Sequence, residues 1–267
     1  MAVLKQVTVQ TLQDMKRAGQ KIAMLTAYDF YTAQILDEAG VDILLVGDTV
    51  GMAVAGHPTT IPVRLEHIVY HAEMVARGAK RAMVVGDLPF LTYQVTIESA
   101  VQNAGRLMQD GKVHAVKLEG GRSMIPFIKH ILRAGIPVMG HLGLTPQSVY
   151  RFGGFKVQGR DAFSAQQVRE AALALQDAGC FAIVLEAIPT DLARQVTEAL
   201  HIPTIGIGAG PYCDGQVLVT PDMLGYTGFS ARYIKHYANL KQVVFDAARQ
   251  YVQEVKSGEY PTEKHGY

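Results

Sequence analysis

The sequence has little cysteine, little net charge and no long apolar run. Its 267 residues include only two cysteines, Cys180 and Cys213, and no CxxC motif. Both cysteines stand among apolar residues or glycines, which favours reduced thiols in a cytoplasmic protein over a disulfide framework. The formal net charge is +1, so neither nucleic acid nor an anionic membrane is expected as a partner.

The apolar residues are spread along the chain in short segments. None approaches the roughly 18 residues of a membrane-spanning helix. Residues 1–20 are polar and helix-like, and they lack the apolar stretch of a signal peptide. Hydrophobic residues make up 49% of the chain and charged residues 18%, which is a globular composition with enough apolar mass for a sizeable core.

Eight of the short apolar segments have the character of buried strands. They are rich in β-branched residues and almost continuously apolar, as strands covered on both faces of a parallel sheet are. They cover residues 22–26, 43–46, 82–85, 115–118, 137–139, 181–185, 204–207 and 217–220.

Segments with the helical period separate most of these strands, and five of them end at a glycine. They cover residues 31–39, 65–76, 97–109, 125–133, 165–177 and 192–199, and a mostly helical stretch covers 229–255. This alternation favours parallel βαβ units. It predicts a closed (β/α)8 TIM barrel in a single domain, 1–267, with an N-terminal helical segment and C-terminal helices and tail. A doubly wound open sheet is the alternative.

Two long loops interrupt the alternation, at residues 51–62 and 143–162. The second is rich in glycine and basic residues. Loops of this length in compact domains are usually functional.

Acidic residues stand at the ends of four predicted strands: Asp48, Asp87, Glu119 and Glu186. In a barrel these positions meet at the C-terminal mouth, where active sites lie. Facing carboxylates repel one another unless a cation or a proton intervenes. Oxygen ligands without clustered histidine or cysteine favour a hard ion such as Mg²⁺. A single Asp after a strand is often only the N-cap of the next helix, but four such positions make that explanation weaker.

Other polar residues near these strand ends allow two interpretations each. Lys117 lies two residues before Glu119, on the same side of the strand, and needs either a substrate carboxylate or Glu119 as its partner. Thr49 offers a hydroxyl to a ligand or makes an ordinary turn. His141 closes the fifth strand as a structural group or as an acid–base group. The glycines of TIGIGAG (204–210) allow close approach to a ligand or make tight turns.

Long segments of the chain resemble the ketopantoate hydroxymethyltransferase family. They follow one another over nearly the whole length, and GHLGLTPQS and GGFKVQGR are especially unusual. They are MLTAYD (24–29), LLVGDTVGM (44–52), GDLPF (86–90), VKLEGG (116–121), GHLGLTPQSV (140–149), FGGFKVQGR (152–160), VLEAIP (184–189) and IGIGAGPYCDGQVLV (205–219). The resemblance implies a (β/α)8 barrel of the phosphoenolpyruvate/pyruvate superfamily.

The resemblance also implies a reaction. In it, 5,10-methylenetetrahydrofolate gives a hydroxymethyl group to 3-methyl-2-oxobutanoate, forming 2-dehydropantoate on the route to pantothenate and coenzyme A. It further implies one Mg²⁺ per subunit and a homo-oligomer, commonly a homodecamer. The implied mechanism is physically coherent, because a metal that chelates the 2-oxo acid stabilises the enolate formed when a base removes the neighbouring proton.

The family's site residues fall on the residues singled out above. Asp48, Asp87 and Glu119 match its metal site. Asp48, Thr49, Asp87 and Lys117 match its substrate-contacting positions, and Glu186 matches the proposed proton acceptor. The family commonly has serine where this chain has Thr49, so the hydroxyl is kept while the added methyl alters the fit.

Two rival functions stay open. One is another metal-dependent 2-oxo-acid carbon–carbon lyase, or a phosphonomutase, of the same superfamily. Those lyases usually carry a cysteine in a KKCGH-like loop, which this sequence lacks. The other is a non-catalytic scaffold. The four carboxylates at the strand ends argue against it.

Overall fold

The structure, a computed structural model, describes residues 5–267. Eight strands form a closed barrel in chain order, and every neighbouring pair, including β1 with β8, is parallel. The strands are β1 Ile22–Thr26, β2 Ile43–Val46, β3 Met83–Asp87, β4 Ala115–Glu119, β5 Val138–Gly143, β6 Ala182–Glu186, β7 Thr204–Ile207 and β8 Gly215–Leu218. The predicted TIM barrel is confirmed, and the open sheet is excluded.

Helices occur between most successive strands of the chain, one helix precedes β1 and two follow β8. They are α1 Val9–Arg17, α2 Phe30–Glu38, α3 Val50–Ala53, α4 Leu65–Gly78, α5 Ile97–Gln109, α6 Ile125–Arg133, α7 Val149–Phe152, α8 Ala162–Ala178, α9 Thr190–Ala199, α10 Thr220–Met223 and α11 Leu240–Ser257. Side-chain caps fix several starts: Asp29 accepts a hydrogen bond from the Thr32 N–H, and Asp161 accepts one from the Ser164 N–H. Three-residue 3₁₀ turns lie at Arg122–Met124, Pro146–Ser148 and Glu263–His265.

Most strands are largely apolar because they contribute to two separate cores. In β2, Leu44 and Val46 pack in the cluster between sheet and helices, whereas Ile43 and Leu45 pack in the cluster that fills the barrel. This two-residue alternation is the strand period. It explains why these segments show continuous hydrophobicity rather than an alternating pattern.

Several strand ends differ from the prediction. β3 and β5 run on to Asp87 and Gly143, so that Asp87 and His141 lie within strands rather than after them. β8 begins early, at Gly215, and ends before Thr220. A Cβ at position 215 would lie 2.5 Å from the Ile22 carbonyl oxygen, so the glycine lets β8 approach β1.

The chain divides into two compact units, Met1–Val219 with the whole barrel and Thr220–Tyr267. The single domain expected from the sequence stays a prediction. In the second unit, the helix predicted over 229–255 is wrong before Leu240. The Tyr237 and Leu240 N–H groups donate to the Met223 and Leu224 carbonyls, so this segment folds back as a loop before α11.

The sequence predicts residues 1–20 to be helix-like, and within them Val9–Arg17 forms a helix. Residues 1–4 of that segment lie outside the described part of the chain. Thr8 caps this helix by accepting a hydrogen bond from the Thr11 N–H. Among the described residues, no helix is both long and apolar enough to cross a bilayer.

Candidate active site

A cavity opens at the C-terminal ends of the barrel strands, within the first unit. It brings together all six residues that the sequence analysis assigned to a site, and His141 as well. Its lining residues are Thr26, Leu45, Asp48, Thr49, Asp87, Lys117, Glu119, His141, Pro146, Val184, Glu186, Ile207, Val217 and Val219. The parallel register contributes directly, because it sets Asp87 beside Lys117 and Glu119 beside His141 on neighbouring strands.

Asp48 and Asp87 lie side by side at the ends of β2 and β3. The Asp48 backbone N–H donates to Asp87 Oδ2 over 3.0 Å. A side chain on Gly47 would lie 3.3 Å from that same oxygen, so glycine leaves room for the contact. Burial and the neighbouring charge of Asp87 raise the pKa of Asp48 to about 7, although Lys117 opposes this.

Lys117 points into the cavity from β4, on the same side as Glu119. Its Nζ lies 3.0 Å from Asp87 Oδ1 and 3.4 Å from His141 Nδ1. Burial alone acts to lower the pKa of Lys117, but the carboxylates around it, Asp87 first, outweigh burial and raise it above its usual value. The lysine is therefore a fixed positive charge.

Glu119 ends β4 and is buried. Its Oε2 accepts a hydrogen bond from the Gln147 backbone N–H over 3.0 Å, and its Oε1 lies 3.6 Å from His141 Nδ1. Burial and the charge of Asp48 hold the pKa of Glu119 well above its usual range. The positive charge of Lys117 is therefore too small to stabilise the ionised form of Glu119.

His141 lies between Lys117 and Glu186. Burial and the charge of Lys117 hold the pKa of His141 well below its usual value, so the ring is neutral. Because the lysine donates to Nδ1, the ring proton is on Nε2. This Nε2 lies 3.1 Å from Glu186 Oε2 but is not aligned for a hydrogen bond.

Glu186 ends β6, and 17% of its side chain is exposed. Burial raises the pKa of Glu186 to about 7, against an opposing effect of Lys117. The next helix, α9, begins after Pro189 without a side-chain cap. Likewise, α3 follows Asp48 with no side-chain cap. The capping explanation therefore fails for both Glu186 and Asp48.

The Thr49 hydroxyl is 2.9 Å from the hydroxyl of Tyr28. Burial first, with the charges of Asp87 and Asp48, raises the pKa of Tyr28, so the phenol stays protonated. The pair keeps a polar group at the cavity wall beside the two aspartates.

Close packing accounts for two of the glycines in TIGIGAG without a ligand. A Cβ at Gly206 would lie 3.0 Å from the Cys213 sulfur, and one at Gly210 would lie 2.6 Å from the Thr190 side chain. Neither glycine therefore needs a ligand to account for it, and Gly206 lies inside β7 rather than in a turn.

Sequence reasoning missed two buried residues that support the cavity, Gln147 and Tyr93. The Tyr93 hydroxyl accepts a hydrogen bond from the Glu119 N–H and lies 2.9 Å from Gln147 Oε1. The signals for Gln147 were its position in the long loop after β5 and in the segment GHLGLTPQSV (140–149). Tyr93 had none, since it lies in a loop without a motif.

The donor set fits a hard divalent cation. Within residues 5–267, no three His, Cys, Asp or Glu side chains converge closely enough to hold a metal ion, but Mg²⁺ generally uses one or two carboxylates and keeps several waters. Asp48 and Asp87 supply two. The buried oxygen Glu119 Oε1 has no hydrogen-bond partner, and Asp87 Oδ1 has only its ion pair with Lys117. Of the described residues lining the cavity, Lys117 alone carries a permanent positive charge, against four carboxyl groups.

Comparison with known proteins agrees with the family resemblance seen in the sequence. A family model described as ketopantoate hydroxymethyltransferase matches residues 6–263. The 3-methyl-2-oxobutanoate hydroxymethyltransferase of Syntrophus aciditrophicus (strain SB) is 52% identical over 98% of this chain and 97% of the relative. That of Carboxydothermus hydrogenoformans is 52% identical over 99% of this chain and 96% of the relative.

Solved structures resemble this chain in fold alone. Phosphonopyruvate hydrolase in complex with oxalate and Mg²⁺ aligns with a TM-score of 0.60 and 14% identity, over 96% of this chain and 92% of that one. A 2,3-dimethylmalate lyase of the PEP mutase/isocitrate lyase superfamily aligns with a TM-score of 0.58 and 16% identity, over 97% and 91%.

Proposed function

Because the chain belongs to the ketopantoate hydroxymethyltransferase family, we propose that it transfers a hydroxymethyl group from 5,10-methylenetetrahydrofolate to 3-methyl-2-oxobutanoate. The product is 2-dehydropantoate, an intermediate of pantothenate synthesis. The chain is an enzyme. The two relatives are named for this reaction, and the alignments with this chain cover 97% and 96% of their length. The folate donor and the route through a Mg²⁺-stabilised enolate are the finer parts of the proposal.

The observation that carries the proposal is the excess of buried carboxylates over positive charge at the strand ends. Four carboxyl groups face Lys117 around one cavity. Facing carboxylates in a partly dry site need a cation or protons. We assign Asp48 and Asp87 as the direct ligands of one Mg²⁺, with Glu119 acting through a water. When bound, the cation stabilises negative charge on the keto oxygen of the substrate.

Lys117 and Thr49 orient the substrate. As a buried fixed charge, Lys117 attracts the substrate carboxylate, and it is prevented from moving by Asp87 and His141. The Thr49 hydroxyl, held by Tyr28, offers a hydrogen bond to a substrate oxygen. Asp48 and Asp87 complete the set of substrate-contacting residues.

Glu186 takes the proton from C3 of the substrate. A general base works best when its pKa lies near the working pH, and burial brings the pKa of Glu186 to about 7. Its partial exposure leaves it reachable by a substrate in the cavity mouth. The enolate carbon then forms the new carbon–carbon bond to the one-carbon unit of the folate, while water supplies the hydroxyl oxygen and tetrahydrofolate is the leaving product.

The proposal extends to the setting of the enzyme. We place it in the cytoplasm as a homo-oligomer, a homodecamer by family resemblance, with only the 2-oxo acid and the folate as small-molecule partners. Exposed apolar side chains on α11, among them Val243, Phe245 and Val252, are consistent with a partner subunit. Light scattering of the purified protein tests the assembly.

The decisive experiment measures consumption of 3-methyl-2-oxobutanoate with and without the folate and with and without Mg²⁺. Turnover should need all three components, and Asp87→Asn should abolish the dependence on Mg²⁺ together with most of the activity. Asp177→Asn, the same change at an exposed position on α8, is the matched control and should behave as the unmodified protein. Folate-independent cleavage of a 2-oxo acid would instead support the lyase alternative, and no activity would support a scaffold.

A further inference from the structure

Gln147 is a buried amide in the 3₁₀ turn Pro146–Ser148, on the loop that follows β5. Its side-chain Nε2 donates to Asp48 Oδ2 over 2.9 Å and to the Leu88 carbonyl over 3.0 Å. Its backbone N–H donates to Glu119 Oε2 over 3.0 Å. One residue of the loop after β5 thus binds two carboxylates, one just after β2 and one at the end of β4.

The amide has one orientation that satisfies its surroundings. Its Oε1 lies 2.9 Å from the Tyr93 hydroxyl and 3.2 Å from Gln94 Nε2, and both of these groups donate. A flipped amide would set its oxygen against the oxygens of Asp48 and Leu88. The donor side of Gln147 is therefore fixed towards the Asp48 carboxylate.

The loop that carries Gln147 is itself anchored to the strand ends. The Leu144 N–H donates to the Glu186 carbonyl over 2.8 Å, and the Ser148 N–H closes the turn on the Thr145 carbonyl over 2.8 Å. Gly143 allows this approach, because its φ of +95° favours glycine and a Cβ there would collide with the Glu186 carbonyl. Gln147 is thus held on its backbone as well as on its side chain.

We propose that Gln147 is a positioning residue that holds the carboxylates of Asp48 and Glu119 in the arrangement that binds the divalent cation. Its two donors occupy one oxygen of each carboxylate and leave the other oxygen of each for the cation or its waters. The inference rests on the proposed metal site. It adds a residue that never touches the cation.

The effect of removing such a partner is measurable by cation binding alone. Hydrogen-bonding partners of metal ligands typically contribute about 10- to 100-fold in metal affinity. The probe is Mn²⁺, whose free concentration is measured by electron paramagnetic resonance without substrate or folate. Gln147→Met keeps the size of the side chain and loses its side-chain hydrogen bonds, including the one to Asp48, while the backbone N–H can still donate to Glu119. Gln147→Asn keeps an amide but is one methylene too short to reach Asp48.

The matched control is Gln94→Ala. It removes a hydrogen bond to the same amide, on the oxygen side, and leaves the contact with Asp48 in place. We expect both Gln147 variants to bind Mn²⁺ about 10- to 100-fold more weakly than the unmodified protein, and Gln94→Ala to bind it with unchanged affinity. Circular dichroism confirms that each variant is folded.

The outcomes separate this inference from the proposed function. If Asp48→Asn loses Mn²⁺ while both Gln147 variants bind it normally, the metal site stands and the role of Gln147 is overturned. If Asp48→Asn itself binds Mn²⁺ normally, the metal site and the role of Gln147 both fail. Equal weakening in the Gln147 variants and in Gln94→Ala, or unfolding of both Gln147 variants, would assign Gln147 to stability alone and overturn the proposal.

Discussion

Replacing Glu186 by glutamine isolates the deprotonation step. Gln keeps the shape of the side chain and cannot take a proton. General-base catalysis contributes about 10²- to 10⁴-fold, or roughly 3–5 kcal/mol of activation free energy. The assay is exchange of the C3 proton of 3-methyl-2-oxobutanoate into deuterated water, in the presence of Mg²⁺ and without folate. Glu186→Gln should slow this exchange by that factor and leave Mn²⁺ affinity unchanged.

The pH dependence gives a second measure of the same residue. In the unmodified protein, exchange should rise with pH and level off above about 7, where Glu186 is ionised. Glu186→Gln should lose this rise. Glu198→Gln, the same change at an exposed position on α9, should keep both the rate and the profile. If Glu186→Gln exchanges the proton as fast as the unmodified protein, another residue is the base.

The same substitution should stabilise the metal-free protein above neutral pH. The pKa of Glu186 is raised in the fold, so between pH 4.5 and about 7 only the native state holds the proton. Stability from this group therefore falls as pH rises through that window and is constant above it. A pKa of about 7 against 4.5 makes the ionised group roughly 3 kcal/mol unfavourable. Glu186→Gln should raise Tm by several degrees at pH 8 and leave it unchanged at pH 4; no rise at pH 8 would contradict the burial argument.

Substitutions at three further positions, Lys117, Thr49 and Gly143, test the cavity and the loop after β5. Lys117→Ala should raise KM for the oxo acid far more than KM for the folate in steady-state assays, and the opposite order would assign the lysine to the folate. Thr49→Ser should keep KM for the oxo acid, whereas Thr49→Val should raise it, and equal KM values would remove the hydroxyl from substrate binding. Gly143→Ala should lower the free energy of unfolding by more than Gly135→Ala. Both glycines have positive φ, but a Cβ collides with the Glu186 carbonyl only at 143, and nothing lies within 4 Å at 135. If urea unfolding shows the same loss of unfolding free energy in both variants, the collision at 143 costs nothing, and the loss reflects only the backbone strain of positive φ, about 1–2 kcal/mol.

The barrel was predictable because its evidence is local. Each strand is a short apolar segment, and most helices end at a glycine, so hydrophobic period and turn chemistry mark the elements one at a time. The strand-end carboxylates follow from the fold, since parallel strands bring their C-terminal ends to one mouth. This is why Asp48, Asp87, Glu119 and Glu186 lie around one cavity although they are distant in sequence.

The supporting residues were not predictable in the same way. Gln147 reaches Asp48 across 99 positions of the sequence, and that contact depends on the path of an irregular loop. Tyr93 supports Glu119 from a second such loop. The start of α11 was missed for a related reason: distant backbone hydrogen bonds, such as Tyr237 to Met223, decide the conformation before it. Local propensity carries no information on these contacts.

The charges around the cavity argue that it is built to bind a cation. A purely structural mouth would be more stable with amides or apolar groups, because burial raises the pKa of both Asp48 and Glu186 to about 7 and makes their ionised forms unfavourable. Yet Lys117 compensates only part of this negative charge, and it is already paired with Asp87. A divalent cation that binds only the folded protein would supply the missing positive charge and add its binding free energy to the stability of the fold. The same carboxylates that weaken the metal-free barrel near neutral pH therefore make its stability depend on the cation that we propose for its chemistry.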